Sequence, residues 1–522
     1  MKQTVVDRIL KIFLAFSIAF FFYNILLYII GSYEIDYFDG ALKLLTKIYA
    51  SKGLVPYKDF SVVYPPGMFL IFGKIFHYRS IIQNNFVTSI GYIFLFILSL
   101  TLIKNISKRK WSTLLALSAS SLYFSIIVRL FGNSDAYSMI LSILSVLVYY
   151  KSIYSKKSLY LILNFLIYFI GVWFRWDWLL IAFLLEILIL ILISIIPSRY
   201  FIKQNKQIRK NILKTTVSSA TGFITGVFLL SYYLYSIDVI ENAYTFIVNI
   251  PIQLTSSYRD LPLPFPKHPL KPEMIFYISS LLLLLIVYKS ARYFLTRLRS
   301  KKVYVAELAI ALLLLSFSLV FIYYALGRSD WPHFIPLWFY TGMVTIVLCL
   351  KLKLIGNKIY LLLLLSFFPL AGWYLKATKS YLPRYNHAQN VIDINIADCK
   401  NLVSKIYANS IFVGRIKYEK YLWNNEALYL TRTDIPPATS FITEEPGIHN
   451  SCKYGEKIMK ELQNSKKPML ALLNKKQQEG ENQFTKNMTS CGRIEYYLNE
   501  NYYRALGNCV SYDSEFEVRL YE

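Results

Sequence analysis

Two apolar stretches decide the fold class of this 522-residue chain: SLYLILNFLIYFIGVWF at residues 158–174 and WLLIAFLLEILILILISII at residues 178–196. Only the three residues RWD separate them. Because about 20 apolar residues in a helix cross the ~30 Å hydrocarbon core of a bilayer, each stretch is long enough to span a membrane. We therefore interpret the pair as two membrane spans joined by a tight turn.

The rest of the chain repeats this pattern. Hydrophobic residues make up 55% of the sequence and charged residues only 17%, whereas soluble domains carry about 25% charged residues. This composition excludes a soluble, disordered or small disulfide-rich protein and predicts a polytopic membrane protein, mainly α-helical. Hydropathy predicts eleven spans, at residues 8–30, 83–103, 112–129, 135–150, 158–174, 178–196, 215–236, 274–290, 303–326, 335–350 and 359–376.

Charge predicts the sidedness of these spans. One set of alternate connections holds 25 Lys/Arg and one acid, Asp7, whereas the other set holds 12 Lys/Arg and 11 acids. The positive-inside rule places the first set and the N-terminus in the cytoplasm and the region after residue 376 outside. The net charge of +26 thus reflects topology, and no nucleic-acid partner is predicted. Residues 67–76 are apolar but too short to span, and an interfacial helix is the better interpretation.

The last 146 residues have a different character. Apolar runs shorten to strand length, as in SIFVG (410–414) and PMLALL (468–473), and polar helical stretches such as 455–465 lie between them. This pattern predicts an extracytoplasmic α/β domain over residues 377–522, after a transmembrane domain over residues 1–376. Four cysteines, at positions 399, 452, 491 and 509, permit disulfides with three possible pairings. We expect at least one, with Cys491–Cys509 favoured because it closes a short loop.

The first outer loop, residues 31–82, is the largest and carries acids that could act as a general base or bind a divalent cation. Ordinary solvated loop acids are the alternative interpretation. The polar and turn-forming residues of this loop include Glu34, Asp36, Asp39, Asp59 and Tyr64, followed by Pro65, Pro66 and Gly67.

Short outer turns also carry arginines with an acid nearby. Such arginines either reach the membrane–water boundary as isolated snorkelling side chains or line a cavity that binds a phosphate group through forked donors. A further acid, Glu186, lies within a span and must face the interior of the helix bundle. The arginine-containing turns are Arg129 with Asp135, Arg175 with Asp177, Arg259 with Asp260, and Arg328 with Asp330 and His333.

Several catalytic motifs are missing from the sequence. It contains no Walker A motif, no GxGxxG after a strand, no HExxH zinc motif and no GxSxG nucleophile motif. Energy for any reaction must therefore arrive with an activated substrate rather than with a nucleotide bound at a recognisable cytoplasmic site.

The run DGALKLLTKIYASKGLVPYKDFSVVYPPGMFLIFGKIF at residues 39–76 resembles the first loop of C-type (GT-C) membrane glycosyltransferases, in particular the group of protein O-mannosyltransferases and aminoarabinose transferases. The segments FRWDW (174–178) and GRSDWPHFIP (327–336) look like outer-loop elements of such chains. The C-terminal segments IFVG, ALYLTRTDIPPATSFITEEPG and IEYYLNENYYRALGNCVSY resemble the tail of related bacterial and archaeal enzymes. The WWDYG signature of oligosaccharyltransferases is missing.

This resemblance implies a GT-C-like helical bundle in the plasma membrane and an inverting hexosyl- or pentosyltransferase. The donor would be a polyprenyl- or dolichyl-phosphate sugar, and the acceptor a glycolipid, a cell-wall polymer or a protein on the outer face. No cofactor is required, although Glu34 and Asp36 leave a divalent cation possible. The resemblance favours Asp39 as the catalytic base, with Asp36 second. Substrate-binding residues would be Arg328, Arg175, Arg259, Asp59, Tyr64, Asp330 and His333.

Two other functions fit a polytopic protein. A membrane lipid or glycan transporter or flippase is the first, but it should show internal repeats and broken helices, and the sequence shows neither. A scaffold whose outer domain binds partners is the second, and it leaves the pattern of residues 39–76 without an explanation.

Overall fold

A computed structural model of the chain defines the positions of most residues before 250 and after 388. The described residues are 2–29, 39–75, 81–106, 110–127, 134–155, 157–195, 205–250, 388–416, 426–443, 452–475, 493–511 and 514–522, with isolated positions between 252 and 300, residues 337–343 and residue 346.

The described part of the chain is mainly helical and ends in a small sheet. The α-helices are α1 Lys2–Ile29, α2 Asp39–Ser51, α3 Gly67–Phe69, α4 Ile81–Ile106, α5 Lys110–Ile127, α6 Ser134–Tyr154, α7 Leu159–Ile195, α8 Asn205–Ser236, α9 Ile240–Tyr244, α10 Ala388–Val403, α11 Cys452–Gln463 and α12 Arg493–Glu500. Helices α3 and α9 continue as the π-helices Leu70–Ile75 and Thr245–Asn249, and Glu426–Arg432 is a 3₁₀-helix. The strands are β1 Ser410–Arg415, β2 Met469–Asn474, β3 Arg504–Ser511 and β4 Ser514–Tyr521.

Five of the described helices are long and apolar enough to cross a membrane. They coincide with six of the predicted spans, because the spans at 158–174 and 178–196 both fall within α7. The serine-rich helix α5 covers residues 112–127 of the predicted span 112–129 and, over its described residues, is not among these five helices. The last four predicted spans lie largely outside the described residues. The five candidate segments are Val5–Ile29, Asn85–Lys104, Tyr137–Tyr154, Leu159–Ile195 and Gln207–Ser236.

Helix α7 folds back on itself at Arg175, where the backbone leaves helical geometry (φ −164°, ψ 94°). The hydroxyl of Tyr168 donates to Oε1 of Glu186 over 2.6 Å. In a straight helix these residues, 18 positions apart, would be separated by about 27 Å. The contact therefore requires two antiparallel arms, which confirms a turn between the predicted spans 158–174 and 178–196.

Helix α8 packs closely against the first arm of α7 through three small residues spaced four apart. The hydroxyl of Ser218 donates to the carbonyl of Leu161 over 2.6 Å. A Cβ on Gly222 would clash with the carbonyl oxygen of Phe165, and one on Gly226 would lie 2.9 Å from that of Phe169. Close backbone approach at small-xxx-small positions is a common way to hold helices together in a membrane.

Glu186 is fully buried (0% exposed) among these helices. Its Oε1 accepts from Tyr168 on the other arm, and its Oε2 accepts from the Ser219 hydroxyl of α8 over 2.6 Å. Asn164 extends the network, because its amide hydrogen-bonds to Ser219 and to the carbonyl of Thr215. The expectation that Glu186 faces the bundle interior is confirmed, and its partners are hydroxyl groups.

The chain divides into two compact units. The second unit joins the first outer loop and the segment after α8 to the C-terminal region, which the charge pattern places on the same side of the membrane. The first unit comprises Met1–Ile29, Thr88–Leu230 and Pro262–Leu382, and the second comprises Ile30–Val87, Ser231–Leu261 and Pro383–Glu522. The predicted boundary at residue 376 lies outside the described residues and stays a prediction.

Contacts within each unit bring predicted connections together. In the first unit, Asp7 accepts hydrogen bonds from Lys110 and from the indole of Trp111, so the two connections at residues 1–11 and 104–111 meet. In the second unit, helix α2 and the segment after α8 both contact the C-terminal region. Which face is cytoplasmic stays a prediction.

The C-terminal sheet has the strand order β1-β2-β4-β3. Strands β1 and β2 are parallel, with Ser410 opposite Met469, and β4 is antiparallel to both β2 and β3. Both predicted strands and the predicted polar helix are therefore confirmed. Helix α11 lies between β1 and β2 in the sequence, as a crossover between parallel strands requires.

The disulfide in this domain differs from the expected one. Cys509 on β3 is bonded to Cys399 on α10, not to Cys491. The favoured pairing Cys491–Cys509 is therefore wrong, because α10 packs on β3 and brings a distant cysteine against the strand. Cys452 is also disulfide-bonded, so the expectation of at least one disulfide is confirmed.

Candidate active site

The segment 39–75 begins with helix α2, which ends in a glycine C-cap. The amide of Gly53 donates to the carbonyl of Ala50 over 3.2 Å, and that of Leu54 donates to the carbonyl of Tyr49 over 3.1 Å. This is a Schellman motif, and it requires the positive φ of 87° that Gly53 adopts. Gly53, which directly precedes the run LVPYKDF, is therefore where the chain leaves α2.

The VPYKDF turn is held by the side chain of Asp59. Its Oδ2 accepts from the amide of Val55 over 2.6 Å, while the amide of Asp59 donates to the carbonyl of Val55 over 2.9 Å. Tyr57 adopts a φ of 64° and donates its hydroxyl to the carbonyl of Tyr64. Asp59 and Tyr64 thus have structural contacts in the turn, and their substrate-binding roles stay predictions.

Aromatic side chains fill the space between α2 and the helix that follows the Tyr-Pro-Pro-Gly turn. The rings of Tyr49 and Phe60 are 5.7 Å apart, and those of Phe60 and Phe69 are 5.8 Å apart. Tyr49, Tyr57 and Phe60 are each fully buried. The loop that carries the predicted base is therefore a packed element with its own core.

Lys47 is an unexpected member of that core, since it is only 2% exposed. Its ammonium lies 5.7 Å from the centroid of the Phe72 ring. Gly73 permits this close packing, because a Cβ there would lie 2.7 Å from the carbonyl oxygen of Lys47. Sequence reasoning missed Lys47; the only signal was its position between the apolar residues of α2.

Asp39 is the first residue of helix α2. The rival base Asp36 and four predicted substrate-binding residues lie outside the described residues; these four are Arg259, Arg328, Asp330 and His333.

Arg175, the remaining predicted phosphate ligand, belongs to the first unit and lies at the turn of the α7 hairpin. Its Nε contacts both carboxylate oxygens of Asp177 at 3.1 Å. Its guanidinium also lies 4.6 Å from the centroid of the Trp178 ring. The predicted pairing of Arg175 with Asp177 is confirmed, and these contacts fix the orientation of a side chain that is 13% exposed.

No group of three or more His, Cys, Asp or Glu residues comes together to hold a metal ion within the described ranges. Glu34 and Asp36, which leave a divalent cation possible, lie outside those ranges.

The C-terminal domain directly contacts residues 39–75, which we call the loop element. The Lys52 ammonium, just after α2, donates to the backbone carbonyl of Thr433 over 2.8 Å and approaches its hydroxyl at 3.4 Å. The second unit therefore combines the candidate catalytic loop with the C-terminal domain. The sequence matches no protein-family model and no curated protein.

Proposed function

We propose that this chain is a membrane glycosyltransferase with a GT-C-like bundle, which transfers a sugar from a polyprenyl- or dolichyl-phosphate donor to an acceptor hydroxyl on the outer face of the plasma membrane. The observation that carries the proposal is the fold of residues 39–75. The run that resembles the first loop of such enzymes forms a packed element, and its first helical residue is the candidate base Asp39.

The chemistry needs few groups. The Asp39 carboxylate accepts the proton of the acceptor hydroxyl, and the resulting oxygen nucleophile attacks the anomeric carbon. The bond from that carbon to the phosphate oxygen breaks with inversion, and the lipid phosphate leaves. Arg328, with Arg175 and Arg259 as second choices, stabilises the departing phosphate through forked hydrogen bonds.

The test is transfer by membranes that contain the full chain, incubated with radiolabelled polyprenyl-phosphate sugars. We expect a labelled acceptor, and Asp39→Asn should lower transfer about 10²-fold or more at normal expression. Asp36→Asn is the matched control. Loss of transfer in Asp36→Asn alone would assign the base to Asp36, and no labelled acceptor with any donor sugar would contradict the proposal.

A lipid or glycan transporter or flippase is the second candidate, and the buried Glu186 favours it. Ionisable residues inside transmembrane bundles often mark proton or substrate pathways. Proteoliposomes with a fluorescent lipid-phosphate probe distinguish the two functions. A transporter should move the probe across the bilayer, and Glu186→Gln should slow it, whereas a glycosyltransferase should show neither effect.

A further inference from the structure

One segment of the C-terminal domain, residues 426–443, contacts both of the other parts of the second unit; we call it the clamp segment. Most of its side chains from Ala427 to Thr443 are buried. It includes the 3₁₀-helix Glu426–Arg432 and the run TDIPPATSFIT that follows.

The clamp segment hydrogen-bonds to strand β1 on the side that does not pair with β2. The amide of Ile411 donates to the carbonyl of Pro436 over 3.0 Å, and the amide of Ala438 donates to the carbonyl of Ile411 over 2.7 Å. The Tyr429 hydroxyl accepts from the amide of Val413. These bonds extend the sheet by a short edge segment.

Two charged side chains hold the clamp segment to neighbouring helices. Arg432, the last residue of the 3₁₀-helix, donates to the carbonyls of Val403, at the end of α10, and Ile406, just after it, at 3.1 and 2.6 Å. Glu461 of α11 accepts from the amide of Ser440 over 2.7 Å. The clamp segment is therefore a rigid part of the C-terminal domain.

One face of the clamp segment contacts the loop element. Helix α2 packs against the 3₁₀-helix, and Lys52 donates to the carbonyl of Thr433. The phenol of Tyr49 is fully buried in α2. It interacts electrostatically with Tyr429 and Asp434 of the clamp segment. The C-terminal end of α2 is thus held by the C-terminal domain.

The C-terminal part of the clamp segment contacts the segment after α8. The ring of Phe441 lies 4.8 Å from that of Phe246 in the π-helix Thr245–Asn249. Lys457 of α11 donates to Oδ1 of Asn242 over 2.6 Å, and its ammonium lies 5.6 Å from the Phe441 ring. The clamp segment therefore joins two outer segments that are far apart in the sequence.

We propose that the clamp segment positions helix α2 for catalysis, with Lys52 as a positioning residue; this inference rests on the proposed glycosyltransferase function. Asp39 is 13 positions before Lys52 along the helix, so the two ends are about 18–20 Å apart. On a lever of that length, a tilt of about 3° moves Asp39 by about 1 Å, and a displacement of that size can cost a rate factor of about 10².

The experiment uses the full chain in detergent micelles and two measurements on each variant: amide hydrogen exchange of residues 42–51, and the kcat and donor KM of transfer. Lys52→Met keeps the aliphatic stem and removes the donor. We expect exchange in α2 to rise about 3- to 10-fold and kcat to fall by a similar factor, because one charge-assisted hydrogen bond is lost. Donor KM should not change.

Two matched variants separate positioning from general loss of structure. Lys52→Arg keeps a donor and should restore both values, and Lys58→Met removes another exposed lysine of the same loop and should change neither. Exchange in β1 and β2 should equal that of the wild type in every variant. Asn242→Ala, which removes the acceptor of Lys457, tests the other contact and should raise exchange in residues 240–249.

The outcomes that overturn the inference are distinct from those that overturn the proposed function. If amide exchange of α2 in Lys52→Met equals that of the wild type, the inference that the clamp segment holds α2 through Lys52 is overturned, whatever the transfer activity. If amide exchange of α2 in Lys52→Met is faster but kcat is unchanged, the Lys52–Thr433 bond is only structural, and the positioning role of Lys52 is overturned. Faster exchange in a protein that transfers no sugar from any donor supports the clamp but overturns the proposed function and, with it, the catalytic role of the clamp.

Discussion

The α7–α8 region and the second unit are held together by different sets of contacts. In the membrane region, glycines and serines bring backbones together, and hydroxyl groups satisfy a buried acid. In the second unit, large aromatic rings, a disulfide and arginine-to-carbonyl bonds supply the contacts. Lipid offers no hydrophobic force between apolar helices, so close packing and hydrogen bonds take over there, whereas in water the burial of apolar surface drives assembly.

The largest expected effect is confined to the second unit. Replacing Cys399 and Cys509 by alanine opens a loop closed over 110 residues. The chain-entropy model assigns such a loop about 4–5 kcal/mol. We expect a lower melting temperature and faster amide exchange in α10 and β3, with no change in the α7 hairpin. Equal destabilisation of the α7 hairpin would contradict the view that the α7–α8 region and the second unit are stabilised by separate contacts.

The next effect belongs to the membrane region. Gly222→Ala places a methyl group against the backbone carbonyl oxygen of Phe165, which cannot move without separating the helices. We expect a loss of about 1–3 kcal/mol, typical of overpacking, measured as thermal stability in micelles. Gly91→Ala is the control, since its methyl group would meet a side-chain atom, the Tyr137 hydroxyl, at 3.2 Å rather than a backbone atom. Similar losses in both variants would contradict the backbone argument.

A smaller effect tests the hydroxyl groups in the membrane region. Ser219→Ala removes the hydrogen bond to Glu186, and interhelical bonds of this type contribute about 0.6–1.7 kcal/mol. Thr221→Ala removes a hydroxyl whose one hydrogen bond among the described residues lies within its own helix, to the carbonyl of Val217. The first variant should lower the melting temperature and the second should leave it nearly unchanged.

The smallest expected effect concerns two buried tyrosine hydroxyl groups of the loop element. Tyr57→Phe removes a buried hydrogen bond to Tyr64, which should cost about 1 kcal/mol. The Tyr49 hydroxyl is buried and has no hydrogen-bond partner within the described residues, and burial raises the pKa of this phenol well above its usual value. Tyr49→Phe should therefore be neutral or slightly stabilising. A larger loss for Tyr49→Phe than for Tyr57→Phe would contradict this assignment.

The sequence predicts local features of this molecule well. The span length around RWD indicated the α7 hairpin, and the short apolar runs at 410–414 and 468–473 indicated β1 and β2. The expectation for Glu186 followed from the cost of a charge in lipid. Each of these depends on residues close together in the chain, where periodicity and length carry the information.

Long-range contacts escaped prediction for a physical reason. Loop length favoured Cys491 as the partner of Cys509, but the pairing depends on where α10 packs, which no local pattern encodes. The same holds for the contact of Lys52 with Thr433. Asp59 was predicted from its position in a motif, and only the folded turn shows that its carboxylate accepts from the amide of Val55.

The contact between Lys52 and Thr433 also has a consequence for biosynthesis. The two residues are 381 positions apart, so at 5–20 residues per second a ribosome needs about 20–80 s to make the chain between them. During that time α2 exists without its clamp. A nascent chain stopped before residue 433 would carry an unfastened α2, so completion of the C-terminal domain would set the moment at which the loop element acquires its final constraint.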